Sequence, residues 1–91
     1  MKREQAIAIG QDALIWLAGD DEALGAFLAA SGLAPEDLRG RTSDPEFLGF
    51  VLEFLLGTDA MVLDFAAQAG LPPQDPARAR AVLGGELPNW T

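Results

Sequence analysis

Residues 14–37 read LIWLAGDDEALGAFLAASGLAPED, and 38 positions later residues 52–75 read LEFLLGTDAMVLDFAAQAGLPPQD. Ten of the 24 aligned positions are identical without a gap: Leu14/Leu52, Leu17/Leu55, Gly19/Gly57, Asp21/Asp59, Phe27/Phe65, Ala29/Ala67, Gly32/Gly70, Leu33/Leu71, Pro35/Pro73 and Asp37/Asp75. Composition alone would give roughly two or three. Each copy reads as a long apolar helix, a glycine, a helix opened by aspartate, a Gly-Leu stop and a proline-led short helix. One copy cannot bury its own oily face, and two are too few for a solenoid. The expected fold is therefore all-α: a compact bundle of five to six short helices built from two similar helical units that close on each other.

The local signals divide the chain further. Apolar residues at Ile9, Ala13, Trp16 and Leu17 recur at helical spacing from about residue 3 to 18, with Gly19 at the position of a left-handed stop. Ala13 to Ala18 is apolar on every side, which predicts a segment enclosed by other helices, with Trp16 in the core. Asp20, Asp21 and Glu22 open a second helix, whose inner face carries Leu24, Phe27 and Leu28 and which ends at Gly32 with Leu33 folding back. Pro35 opens a short helix that Gly40 ends. Ser43 and Glu46 have the spacing of a capping box, with Asp44 before Pro45 as an alternative cap. The helix that follows, ending at Gly57, is nearly apolar all round and should be the most buried element. Thr58 caps a fifth helix with Met61, Val62, Phe65 and Ala69 inward, and Gly70 stops it. Asp75-Pro76 starts a sixth that ends at Gly84-Gly85. Residues 86–91 read as an extended tail. No segment alternates with period two, so no strand is expected.

The chain of 91 residues is read as one domain, 1–91, able to bury about 60% of its unfolded surface. It has no cysteine, which excludes disulfides and thiolate metal sites and suits a reducing cytoplasm. Glu4 and Asp12 interrupt any signal-like apolar core, and the oiliest segment, residues 47–57, is far shorter than the ~20 residues that cross a bilayer. The net charge is −8 and Lys2 is the sole lysine, so neither direct nucleic-acid binding nor attachment to an anionic membrane is expected.

Histidine, cysteine and tyrosine are all absent, which removes the usual general bases, nucleophiles and soft metal ligands. Carboxylate chemistry remains formally open. The Asp20-Asp21-Glu22 group, however, sits where helix starts recruit acids, and Glu53 reads as a one-residue solvent strip along an oily helix. No catalytic residue, cofactor or metal is expected, and the chain is read as a non-enzyme.

Four arginines form two Arg-x-Arg pairs, Arg39/Arg41 and Arg78/Arg80, each after a Gly-Leu turn. An approximate two-fold axis between the copies would bring them together as a site for an anionic or phosphorylated ligand. The plainer reading pairs them with acids such as Glu36, Asp37 and Asp75. Trp90, in the Pro-Asn-Trp ending, is either packed back into a groove or offered to a partner as an anchor.

Ala13-Leu14-Ile15-Trp16-Leu17-Ala18-Gly19-Asp20, Phe27-Leu28 before Ser31-Gly32-Leu33, Asp44-Pro45-Glu46-Phe47-Leu48 before Val51-Leu52-Glu53-Phe54-Leu55-Leu56, and Asn89-Trp90-Thr91 together resemble a family of short alphaproteobacterial proteins catalogued as a domain of unknown function. The likeness spans nearly the whole chain and rests on packing and capping motifs. It implies a bacterial cytoplasmic setting and carries over no activity, cofactor or site residue. The leading functional expectation is a small acidic module that contacts another protein or a second copy of itself, since the apolar supply exceeds what a chain this size hides. An anion site at the arginines and an acidic mimic of nucleic acid, inhibiting a basic protein, are the alternatives.

Overall fold

The computed structural model describes residues 1–84, and the expectations for residues 86–91, including Trp90, lie outside the described residues. Helix α1 spans Arg3–Ala18, α2 Asp21–Ser31, α3 Pro35–Leu38, α4 Pro45–Leu55, α5 Asp59–Ala69 and α6 Asp75–Gly84, with a 3-10 turn at Arg39–Arg41. Among the described residues there is no strand, so the fold is all-α.

Helices α1, α4 and α6 pack pairwise around the core. From α1 come Ala6, Ile9, Ala13, Leu14 and Leu17; from α4, Phe47, Leu48, Val51, Leu52 and Leu55; from α6, Ala79 and Leu83. Helix α4 buries six of its eleven residues, as its all-round apolar sequence predicts. Two interior glycines set how closely these helices approach. A β-carbon on Gly10 would lie 2.8 Å from the Leu48 β-carbon, and one on Gly49 would touch the Gly84 backbone at 3.5 Å. Both lie inside helices, away from any stop, and serve close packing.

Helix α2 buries one side chain, Phe27, whose ring meets those of Phe47, Phe50 and Phe54 at centroid separations of 6.0, 5.6 and 5.4 Å. Helix α5 buries Phe65 and Ala66, leaves Met61 and Val62 half-buried and exposes Ala69, contrary to its expected place inside. Trp16 is half-buried, its ring edge-on to Phe65 at 6.1 Å, so it flanks the core rather than filling it. The larger correction is Ile15, which is 70% exposed. The buried stripe of α1 runs through Ala6, Ile9, Gly10, Ala13, Leu14 and Leu17, and at 100° per residue Ile15 falls on the far side.

The stops differ from expectation in instructive ways. Gly32 and Gly70 are left-handed, with φ of 74° and 71°. At Gly70 the Leu71 amide donates to the Ala66 carbonyl at 2.9 Å, the long bond of a Schellman ending. At Gly32 the Leu33 amide donates instead to Ser31 Oγ, which itself donates to the Leu28 carbonyl. Gly19 is not left-handed: its φ is −80°, and the helix breaks because Asp20 swings to an extended backbone and accepts from the Glu22 and Ala23 amides. At the start of α4, Asp44 rather than Ser43 is the cap, accepting from the Glu46 amide at 3.0 Å. Pro45 forces the residue before it into the extended region, and that residue is Asp44. Thr58 holds the cap position of α5 without a side-chain bond. Asp37 accepts from the Ala34 amide at the start of α3, and Gly40, expected to end that helix, falls inside the 3-10 turn that follows it. In the 38-residue register the last elements are unequal, a four-residue α3 against a ten-residue α6 that packs into the core.

Candidate interaction surface

The four arginines occupy separate surroundings. Arg80 Nη2 donates to Glu53 Oε1 at 2.6 Å, tying α6 to α4. Arg78, two residues away on α6, points to another side of that helix and lies 3.9 Å from Asp75. Arg39 and Arg41 sit exposed in the 3-10 turn. Arg41 borders a cleft of about 430 Å³ between the end of α2 and the start of α4, with Leu33, Phe47 and Phe50 as its apolar wall and Asp44 and Glu46 beside it. Two of the four guanidinium groups are thus matched with carboxylates, and the one that borders a cleft shares it with two acids.

Glu53 is solvent-facing, its side chain 47% exposed. Asp20, in the densest acidic group, uses Oδ1 to accept two backbone amides. Among the described residues no polar or charged side chain is buried, and no group of three or more carboxylates is disposed to hold a metal ion.

A different surface stands out where α1 meets α5. Asp12, Ile15, Trp16 and Gly19 follow one another at i, i+3, i+4 and i+7, forming one stripe of α1. Asp64, Phe65, Gln68 and Ala69 form the facing stripe of α5. Between them lie two adjoining depressions of about 300 and 630 Å³. The first holds Asp12, Ile15, Trp16, Phe65, Gln68 and Ala69; the second shares Ile15, Trp16 and Gln68 and adds Gly19, Asp20, Asp21 and Asp64. Ile15 and the half-buried Trp16 give the accessible apolar floor, with Phe65 buried behind them, Asp12 at one end and Asp20, Asp21 and Asp64 at the other. No cationic side chain lines either depression. Leu63, 55% exposed, lines neither depression and is an isolated surface apolar residue.

None of Asp12, Ile15, Asp64 or Gln68 was a candidate from sequence. A signal for Ile15 existed, because it is out of phase with the buried stripe of its helix. The acids gave none, since their convergence requires α5 to lie beside α1.

An all-α domain with a surface groove and, among the described residues, no buried ionisable group defines a class of small helical protein. The chain belongs to the family described as Protein of unknown function (DUF3572), whose profile matches residues 3–86. No curated protein and no solved structure matches it.

Proposed function

We propose that the protein is an acidic, non-catalytic interaction module that contacts another protein through the face where α1 meets α5. The observation that carries this reading is Ile15, 70% exposed beside the half-buried Trp16, in a groove that continues onto Phe65 and Ala69. A soluble domain gains nothing in folding from an exposed isoleucine, and an apolar floor rimmed by charge is the usual form of a docking surface. The lack of histidine, cysteine and tyrosine supports the non-catalytic half of the reading. A two-fold self-contact here would set one acid-rimmed, cation-free face against another, so like charge favours a different partner over a second copy. The absence of cysteine is in keeping with a cytoplasmic setting, and no helix among the described residues is long and apolar enough to cross a membrane.

The test is recovery of the tagged protein from its native cells beside an Ile15→Ser variant, with companions identified by mass spectrometry. A companion held by the parent and lost by Ile15→Ser supports the reading. A companion retained equally by both moves the surface elsewhere, and no companion at all removes the reading.

A further inference from the structure

We infer that the α1/α5 groove takes a basic amphipathic helix of a partner protein, its apolar side on Ile15 and Trp16 and its lysines or arginines against Asp12 and the Asp20/Asp21/Asp64 group. The inference rests on the proposed function and adds the chemistry of the partner. Its first support is charge: four carboxylates border the apolar floor with no cation among them. A neutral or acidic segment would cover these carboxylates without compensation, whereas a basic one gains at both ends and is drawn in at long range.

Shape supplies the second support. The groove runs between two helices, and among the described residues the fold has no strand, so an extended peptide has no sheet edge to join. A helix laid in a helix-lined groove is the recognition mode this shape suits. Asp12 lies on α1 and Asp20 just beyond its end, so carboxylates flank Ile15 and Trp16 on both sides. A partner helix in this groove therefore carries cations on both sides of its apolar anchors. Asp20 stays available in this role, since capping α2 occupies Oδ1 and leaves the carboxylate charge in place.

The experiment uses the full chain carrying Trp90→Phe, which leaves Trp16 as the sole tryptophan, and two synthetic 18-residue amphipathic helices. Both share one leucine face; one carries lysines at the bracketing positions and the other glutamates. Trp16 fluorescence gives affinity and amide chemical shifts give location. The lysine peptide is expected to bind at least about tenfold more tightly than the glutamate peptide, with shifts centred on residues 12–21 and 64–69. Raising salt from 50 to 300 mM should weaken it severalfold through screening. Asp12→Asn and Asp64→Asn, both at exposed positions, should each weaken it about two- to fivefold, the range of exposed ion pairs. Equal binding of both peptides in the groove overturns the charge inference and leaves the groove as an interaction surface. Shifts spread over the whole acidic surface, or no binding by the lysine peptide, overturn the inference outright, and the Ile15→Ser recovery then decides separately whether the proposed function stands.

Discussion

Gly10 of α1 faces Leu48 of α4 so closely that a β-carbon added to the glycine would lie 2.8 Å from the Leu48 β-carbon. Leu48 is fully buried, and its β-carbon is fixed by the backbone, so neither side can yield without moving a helix. Gly10→Ala should therefore destabilise the protein by about 1–3 kcal/mol through overpacking, against the ~1 kcal/mol that alanine gains inside a helix. Gly25→Ala in α2 meets nothing within 4 Å and should stabilise by about 0.5–1 kcal/mol. Urea titrations of the two variants should move in opposite directions, and agreement in sign would refute this packing role for Gly10.

The two kinds of helix end separate in the same way. Gly70 has a φ of 71°, where a side chain clashes with the following carbonyl, so Gly70→Ala should cost about 1–2 kcal/mol. Gly19, with φ −80° and only ordinary contact for a β-carbon, should accept alanine within about 0.5 kcal/mol of the parent. Thermal melting reads both, at roughly 4–8 °C per kcal/mol for a domain of this size.

Removing the Asp44 carboxylate by Asp44→Ala should cost about 1 kcal/mol, the usual worth of an N-cap. Ser43→Ala should be neutral within about 0.5 kcal/mol. The reverse order in denaturation midpoints would return the cap to Ser43.

The Arg80–Glu53 contact is short but partly solvated, so a double-mutant cycle with Arg80→Ala and Glu53→Ala should give a coupling below about 1 kcal/mol that shrinks in 1 M NaCl. Arg80→Ala alone should cost more than Glu53→Ala, because Arg80 is the less exposed partner and its aliphatic stem packs along the helix.

Much of this fold is legible in the sequence because helix ends are local chemistry. Asp20, Pro35, Asp44, Gly32, Gly70 and Asp75 each act within a few residues of themselves, and the end of α1, both ends of α2, the starts of α3, α4 and α6 and the end of α5 follow from them. Gly10 and Gly49 gave no readable signal because their reason lies on another helix: a glycine inside an apolar run reports a close approach only once the approaching backbone is known. Ile15 was misread for a related reason. An apolar run appears enclosed when scanned residue by residue, whereas the phase of Ala6, Ile9, Ala13 and Leu17 already places Ile15 outside. Of the interaction surface, Trp16 read as core, Asp20 and Asp21 read as helix-opening acids, and Ile15 was marked only by its phase. The arginine pairs were conspicuous because they repeat, yet residues two apart on a helix face different ways, and Glu53 engages one of them.

Phe27 carries a further consequence. It is the only buried side chain of α2, and it is ringed by Phe47, Phe50 and Phe54. Ala23 and Leu28 only flank the core beside it, so α2 should open as a unit below the free energy of global unfolding, its amides exchanging together ahead of those in α1 and α4. Each such opening would strip three phenylalanines of their shared neighbour at once, so the loosening of one short helix would also uncover an aromatic surface.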